Sequence, residues 1–165
     1  MNKPQPIKPG PGQESVWDYP RPPRIEKVSE NLRVVFNKII VAETNRGLRV
    51  LETASAPVYY FPPEDVDDEV VQPVDRSSYC EWKGVARYFD VCAGDRRASF
   101  AAWAYPAPTR SYIDLRGYIA FYAQKMDACY VAEEQVRPQP GLFYGGWVTN
   151  RIVGPIKGAP GTEHW

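Results

Sequence analysis

Hydrophobic and polar residues alternate with a period of two along several short stretches of the chain, which is the pattern of half-buried β-strands. The first such stretch, residues 32–43, predicts a β-hairpin with Asn37-Lys38 as a two-residue turn, because asparagine tolerates the positive φ that this turn requires. Both faces are apolar near the turn, so we expect other elements to cover this hairpin on two sides. The predicted register pairs Phe36 with Ile39, Val35 with Ile40 and Val34 with Val41.

A longer hairpin is predicted over residues 84–105, with a tight turn at Gly94-Asp95. A longer loop or a β-bulge would shift its register and exchange its faces. With the tight turn, the predicted pairs are Val91 with Ala98, Phe89 with Phe100 and Arg87 with Ala102 on one face, and Cys92 with Arg97, Asp90 with Ser99, Tyr88 with Ala101 and Ala86 with Trp103 on the other.

Shorter apolar stretches predict further strands at residues 49–53, 58–61, 118–122 and 127–131. We expect the last two to pair with each other across a turn near Gln124-Lys125.

One stretch has the features of a helix start. Pro62-Pro63 precedes residues 64–71, whose first positions are acidic, and both features favour the N-terminus of a helix. We therefore predict a helix over residues 64–71 that ends before Pro73.

The two ends of the chain differ in composition from its middle. Residues 1–15 are polar and rich in proline and glycine, so we predict a flexible tail. Residues 137–165 are rich in glycine, proline and aromatic residues and are predicted to pack as an extension on a single domain that spans residues 16–165. The predicted fold class is mostly β: one compact domain of antiparallel hairpins with one or two short helices.

Charge and hydropathy limit the classes of partner. The chain has 20 basic and 20 acidic residues, whereas nucleic-acid binders usually carry a basic excess, so we expect no nucleic-acid partner. No apolar run is long enough to cross a bilayer and no secretory signal precedes the domain, so we expect no membrane association and a cytoplasmic location.

The chain has three cysteines, Cys80, Cys92 and Cys129, and a single histidine, His164. No cysteine pair has C-x-x-C spacing, so the usual Cys/His zinc site is excluded and only an all-Cys or carboxylate-assisted set would remain. We expect no metal, no cofactor and free thiols in a reducing compartment.

Cys80 and Lys83 are candidate reactive residues in a predicted loop at a strand entry. A nearby cation activates a thiol, and a lysine amine beside aromatic rings can act as a nucleophile or hold an anion. In the alternative interpretation Cys80 is a small half-buried hydrophobe, Trp82 belongs to the core and Lys83 faces solvent.

The strand at residues 49–53 places Arg49 and Leu51 on one face and Val50 and Glu52 on the other. Arg49 is a candidate clamp for a carboxylate or phosphate, and Glu52 is a candidate general base. The alternative is a cross-strand ion pair on the surface.

Aromatic side chains are candidates for a pocket wall. Tyr59 and Tyr60 lie on opposite faces of their strand, whereas Trp103 and Tyr105 share a face and alternate with alanines. Such rings can line a ligand pocket, and they can equally form the core.

Several of these motifs, taken together in order and spacing over about residues 30–132, resemble the DUF427 family. They are Arg49-x-Leu51-Glu52-Thr53, Pro57-x-Tyr59-Tyr60-Phe61-Pro62, Tyr79-Cys80-x-Trp82-Lys83-Gly84-x-Ala86-x-Tyr88, Ala102-Trp103-x-Tyr105 and Gly117-Tyr118-Ile119-Ala120-Phe121-Tyr122.

The resemblance implies a mostly bacterial, cytosolic protein with a compact β structure similar to the β-tent group, which includes methionine sulfoxide reductase B. One name used for the family suggests nucleotidyl transfer, which normally needs clustered carboxylates for metal ions. The acidic residues on the predicted helix look instead like a solvated face. The paired C-x-x-C zinc sites common in that reductase class are absent, and fold similarity does not carry function.

Three hypotheses of function follow. The first is a domain that binds a small anionic or planar ligand in an aromatic-lined pocket. The second is a thiol-dependent enzyme or redox sensor centred on Cys80, and the third is an interaction or homodimerisation module that docks through residues 143–147. The pocket of the first hypothesis consists of Arg49, Tyr60, Trp82, Tyr88, Trp103 and Tyr105 as ligand-binding residues, with Glu52, Cys80 and Lys83 as catalytic candidates.

Overall fold

Short antiparallel strands build the framework of the protein in the computed structural model, which describes residues 3–165. The strands are β1 (Glu14–Ser15), β2 (Arg24–Val28), β3 (Leu32–Phe36), β4 (Ile39–Thr44), β5 (Gly47–Leu51), β6 (Val58–Tyr60), β7 (Val71–Cys80), β8 (Gly84–Ala93), β9 (Arg96–Ala104), β10 (Ile119–Phe121), β11 (Ala128–Val131), β12 (Glu134–Gln135), β13 (Arg137–Pro138), β14 (Trp147–Val148) and β15 (Ile152–Val153). Short 3-10 helices interrupt them: η1 (Val16–Asp18), η2 (Pro63–Asp65), η3 (Arg110–Leu115) and η4 (Ala123–Lys125). The prediction of a mostly β domain is confirmed.

Two four-stranded sheets and one three-stranded sheet contain most of these strands. Their strand orders are β10-β9-β8-β7, β12-β11-β3-β4 and β2-β5-β6. Two smaller ladders complete the fold: β13 pairs with β14 antiparallel, and β1 pairs with β15 parallel.

The hairpin of β3 and β4 has the predicted turn. Asn37 and Lys38 adopt φ values of +50° and +64°, as a two-residue turn of this type requires. The two predicted pairs nearest the turn are confirmed. A bulge follows them, so Val34 pairs with Ala42 and not with the predicted Val41.

The hairpin of β8 and β9 has the predicted turn at Gly94-Asp95 but a different register beyond it. Val91 pairs with Ala98 as predicted, and the next pair is Phe89 with Ala102. Strand β9 therefore contains two extra residues, and an even shift leaves each side chain on its predicted face. The outer pairs are Tyr88 with Trp103 and Arg87 with Ala104, in place of the predicted Tyr88 with Ala101, Arg87 with Ala102, Phe89 with Phe100 and Ala86 with Trp103.

A buried aspartate explains this bulge. Asp90, which is only 3% exposed, accepts a hydrogen bond of 2.8 Å from the backbone N–H of Phe100, and Phe100 has φ of +52°. Arg97 pairs with the same carboxylate through its Nε at 2.7 Å. These bonds outweigh the effect of burial and lower the pKa of Asp90, so the carboxylate stays ionised where the strand bends.

The predicted helix over residues 64–71 is wrong. Only η2 forms there, and β7 begins at Val71. Val66 forms an antiparallel bridge with Ala42, and Asp67 donates its N–H to the Val41 carbonyl at 2.9 Å. This pairing with β4 replaces the local hydrogen bonds that a helix would need.

The expected pairing of residues 118–122 with residues 127–131 is also wrong. Both stretches contain strands, but β10 pairs with β9, whereas β11 pairs with β3. The chain passes through η4 between them and enters a different sheet.

The ends of the chain pack against each other. The sequence predicts a tail over residues 1–15, whereas Glu14–Ser15 pairs with Ile152–Val153 and Ile7 donates its N–H to the Gly154 carbonyl at 2.9 Å. Residues 1–2 of that predicted tail lie outside the described residues. Local composition did not indicate this pairing because the partner strand lies near the other end of the sequence.

The sheet of β7 to β10 separates two hydrophobic cores. Ala102 and Ala104 belong to the larger core, whereas Trp103 and Tyr105 belong to the smaller one, as the alternation of a strand requires. The smaller core also receives Tyr60 from the sheet of β2, β5 and β6. A cavity opens beside this smaller core.

Candidate functional site

A cavity of about 400 Å³ lies next to the smaller core, between the end of β5, the turn that joins β7 to β8 and the C-terminal extension. Its size is that of a small-molecule site. Eight of the nine site residues predicted from the sequence line it: Glu52, Tyr60, Cys80, Trp82, Lys83, Tyr88, Trp103 and Tyr105. We call this space the aromatic cavity.

Arg49 does not line the aromatic cavity, which corrects the pocket assembled from the sequence. Its guanidinium bonds to Glu26 at 2.8 Å and to Glu14 at 3.3 Å on the opposite face of β5 from Val50. Burial disfavours its charge, but these carboxylates outweigh that effect and raise the pKa of Arg49. Arg49 therefore serves the cross-strand ion pair that the sequence offered as the alternative.

Aromatic rings form the floor of the cavity. The Trp103 indole packs against Tyr122 with ring centroids 4.6 Å apart, and the Tyr60 and Trp103 rings are nearly perpendicular with centroids 6.3 Å apart. Burial raises the pKa of both Tyr60 and Tyr105, so these phenols stay neutral at physiological pH. The floor combines flat apolar surface with hydroxyl groups that can donate hydrogen bonds.

Lys83 is held at one side by the turn between β7 and β8. Thr109 fixes this turn, because its N–H donates to the Lys83 carbonyl at 3.0 Å and its hydroxyl donates to the Trp82 carbonyl at 2.6 Å. Lys83 is 9% exposed, and its Nζ lies 5.7 Å from the centroid of the Tyr105 ring. Among residues 3–165 no carboxylate forms an ion pair with this ammonium group.

Lys157 provides a second cation, from the C-terminal extension. Its N–H donates to the Ala54 carbonyl at 2.9 Å, and its carbonyl accepts a bond of 3.0 Å from the side chain of Gln139. Gln139 is 2% exposed and also accepts the N–H of Ala56, so it joins both walls. Lys157 is 9% exposed, and its Nζ lies 5.2 Å from the centroid of the Tyr144 ring.

The charge of Lys157 is only partly compensated. Burial lowers the pKa of Lys157; the Glu52 carboxylate opposes this shift and the Arg21 guanidinium adds to it. Glu52 is itself shared with Arg21, whose Nε lies 3.7 Å from it. In the part of the chain that the structure describes, no acceptor forms a hydrogen bond or ion pair with the Lys157 ammonium group.

Sequence reasoning missed Lys157. The residue lies in Gly154-Pro155-Ile156-Lys157-Gly158, a turn-forming segment with no strand or helix period, so no pattern placed it near Lys83. The available signal was a single cation within an otherwise apolar segment.

Two glycines allow the C-terminal extension to close the cavity. A Cβ atom on Gly145 would lie 2.1 Å from Cη2 of Trp103, and one on Gly146 would lie 2.3 Å from Oε1 of Gln139. A side chain at Gly145 would push this wall away from the indole, and one at Gly146 would push it away from Gln139 and Ala56.

The aromatic segment at residues 143–147 is divided between surface and core. Trp147 is 1% exposed and donates its indole N–H to the Phe121 carbonyl at 3.0 Å, so it cannot dock a partner as the third hypothesis requires. Phe143 and Tyr79 are both exposed and lie at the mouth of the aromatic cavity.

Cys80 is half-buried at the end of β7 and faces the cavity. Burial raises the pKa of the Cys129 thiol, which lies in the larger core. Residues 3–165 contain no group of three or more His, Cys, Asp or Glu side chains close enough to hold a metal ion. The same residues contain no helix long and apolar enough to span a membrane.

The arrangement thus places two ammonium groups, of Lys83 and Lys157, and two carboxylates, of Glu52 and Glu81, around a floor of aromatic rings. It can hold an anionic group by charge and a flat group by stacking.

The sequence was also compared with known protein families. No curated protein sequence matches the chain. The model of the family described as a domain of unknown function, DUF427, matches residues 24–132, which is well over half of the 165 residues and includes every motif that carried the resemblance. The chain therefore belongs to the DUF427 family.

Proposed function

We propose that this protein is a cytoplasmic domain that binds a small, planar, anionic molecule in the aromatic cavity. The observation that carries the proposal is the pair of lysines, Lys83 and Lys157, each nine-tenths buried against the cavity without a carboxylate partner among the described residues.

Burying a charged group without a counter-charge costs stability, so buried charges in proteins are usually paired. Lys83 and Lys157 have only weak compensation from the faces of Tyr105 and Tyr144. An anionic ligand would supply the missing counter-charge at both positions. Two such lysines around one cavity are more costly than one, which favours a role in binding.

The floor of the cavity favours a planar ligand. Trp103 and Tyr122 present two rings in contact at a tilt of 44°, and the neutral phenols of Tyr60 and Tyr105 can donate hydrogen bonds to ligand oxygens. The Glu52 and Glu81 carboxylates also line the cavity and would accept donors from the ligand. The proposal thus combines charge, stacking and orientation in a single site.

A thermal-shift screen tests the proposal. The compounds are aromatic carboxylates, nucleoside monophosphates, sugar phosphates and inorganic phosphate, after native mass spectrometry of the purified protein. We expect planar anions to raise the melting temperature, and Lys83→Met and Lys157→Met each to weaken binding about tenfold or more, because each removes a charge-assisted contact. Lys27→Met, on the exposed edge of β2, is the matched control and should bind normally.

Equal binding by wild type and both cavity variants would refute the proposed site. Binding of inorganic phosphate as strongly as of aromatic carboxylates would refute the role of the rings.

A further inference from the structure

The two cavity lysines differ in how they are held. Lys83 lies in a surface turn, where its carbonyl accepts the N–H of Thr109, whereas Lys157 is fixed through both its N–H, which donates to Ala54, and its carbonyl, which accepts from the buried amide of Gln139. The Lys157 side chain therefore leaves a rigid loop and enters the cavity at a defined place. A fixed approach is what a nucleophile needs in order to meet a bound electrophile.

The surroundings of Lys157 make its amine easier to deprotonate than that of an exposed lysine. The charged groups that face it are the Glu52 carboxylate and the Arg21 guanidinium, and the Tyr144 ring covers it. Burial outweighs the Glu52 charge and lowers the pKa of Lys157, which increases the share of unprotonated amine relative to an exposed lysine. Only that form of the amine attacks an electrophile.

We propose that the Lys157 amine condenses with a carbonyl group of the bound molecule, so that the ligand class is a small planar aldehyde or ketone that carries an anionic group. This proposal rests on the proposed function and adds a covalent step to it. Lys83 holds the anionic group, and the aromatic floor holds the plane of the ligand.

The step balances without any further reactant. The Lys157 nitrogen forms a bond to the carbonyl carbon, the π electrons move to the oxygen, and proton transfer from nitrogen to oxygen gives a carbinolamine. Loss of the hydroxyl with one proton releases water and leaves a C=N bond. Glu52, which lines the same cavity, is the group placed to carry the proton between nitrogen and oxygen. Hydrolysis reverses the sequence, so the adduct is reversible.

Reductive trapping tests this proposal on the intact protein. The probe is 4-formylbenzoate with sodium cyanoborohydride, followed by intact mass and peptide mapping. We expect one adduct per chain, located on Lys157 in preference to the six other lysines, and we expect Lys157→Arg to lose it. As the pH is raised, trapping at Lys157 should begin at a lower pH than trapping at the exposed Lys125. The Lys125→Arg variant is the control.

A non-reactive analogue, 4-methylbenzoate, separates the two proposals. If it slows trapping at Lys157, both the binding site and the imine are supported. If it raises the melting temperature and no adduct forms on Lys157, noncovalent binding stands and the imine is overturned. If neither compound binds and label spreads evenly over the exposed lysines, both proposals are overturned. Should Lys157→Arg fold poorly, Lys157→Met serves as the second variant, because it removes the amine without enlarging the side chain.

Discussion

Replacing Lys157 by methionine should stabilise the ligand-free protein while it weakens ligand binding. Lys157 is nine-tenths buried as a residue, and methionine retains most of its buried stem while it removes an ammonium group that has no ion-pair partner among the described residues. A residue that serves only the fold would give the opposite result, because truncating a buried group normally destabilises.

The magnitude follows from the environment of the ammonium group. Burying a polar group with incomplete compensation costs about 1–3 kcal/mol in protein mutational data. The Tyr144 ring, whose centroid lies 5.2 Å from the Lys157 Nζ, and the Glu52 carboxylate offset part of this cost. We therefore expect Lys157→Met to be more stable than wild type by about 1 kcal/mol. For a domain of this size that gain corresponds to a rise of about 2–4 °C in melting temperature.

The gain should depend on pH in a defined direction. Because folding lowers the pKa of Lys157, the unfolded chain binds the proton more tightly, and the wild type carries the full penalty at pH values below the folded pKa. The penalty decreases as pH rises through the folded value and disappears above the unfolded value, near 10.4. The difference in stability between Lys157→Met and wild type should therefore be largest at neutral pH and should approach zero at alkaline pH.

Melting curves from pH 7 to pH 11 measure this difference, with Lys27→Met as the exposed control. Saturating ligand should reverse the order of wild type and Lys157→Met, because only wild type then gains the counter-charge. A variant that is less stable than wild type at pH 7, or a difference that does not change with pH, would refute the reasoning that Lys157 is an uncompensated buried charge.

Three further predictions concern the walls of the cavity and the fold around it. Asp90→Asn should lower the free energy of unfolding in urea at pH 7 by about 1.5–3 kcal/mol, because it weakens the charge-assisted bonds at the β9 bulge. Since folding lowers the pKa of Asp90, the difference from wild type should shrink as the pH falls below about 4. A difference that stays constant with pH would contradict this. Gly145→Ala should cost about 1–3 kcal/mol and change the fluorescence of Trp103, because the added methyl group meets the indole; a variant as stable as wild type would argue against that contact. A thiol reagent should label Cys80 before Cys129 in the native protein, and cavity ligands should slow labelling of Cys80, which would not happen if its sulfur faced away from the cavity.

Local sequence chemistry predicted the elements whose geometry is set locally. The turn at Asn37-Lys38 and the turn at Gly94-Asp95 follow from residues that tolerate those backbone angles. The β9 bulge depends on the buried carboxylate of Asp90, and the missing helix at residues 64–71 depends on pairing with β4. Both depend on contacts between residues that are separated along the sequence, and a periodicity of two or 3.6 residues carries no information about such contacts.

Strand alternation also limits which site residues can meet. It placed Trp103 and Tyr105 on one face, and both line the aromatic cavity. The same alternation separates Arg49 from Glu52, so β5 could offer only one of them to a single cavity. The hypothesis that placed both residues in one pocket was inconsistent with this alternation. In the structure, Glu52 lines the cavity and Arg49 does not.

The cavity is lined partly by the segment that the family model matches and partly by the C-terminal extension, so family membership alone does not define the ligand that the cavity would bind. Residues 24–132, which the family model matches, supply Glu52, Lys83 and the aromatic floor. Lys157 and the wall around Gly145 come from outside that range and are held against the floor by bonds that include those of Gln139 to Ala56 and of Lys157 to Ala54. A chain with the family segment alone would keep one cation and an open cavity. The second cation, and with it the proposed preference for a ligand that satisfies two positive charges, is therefore a property of the extension, and variants of Lys157 and Lys83 report on separate determinants of the proposed site.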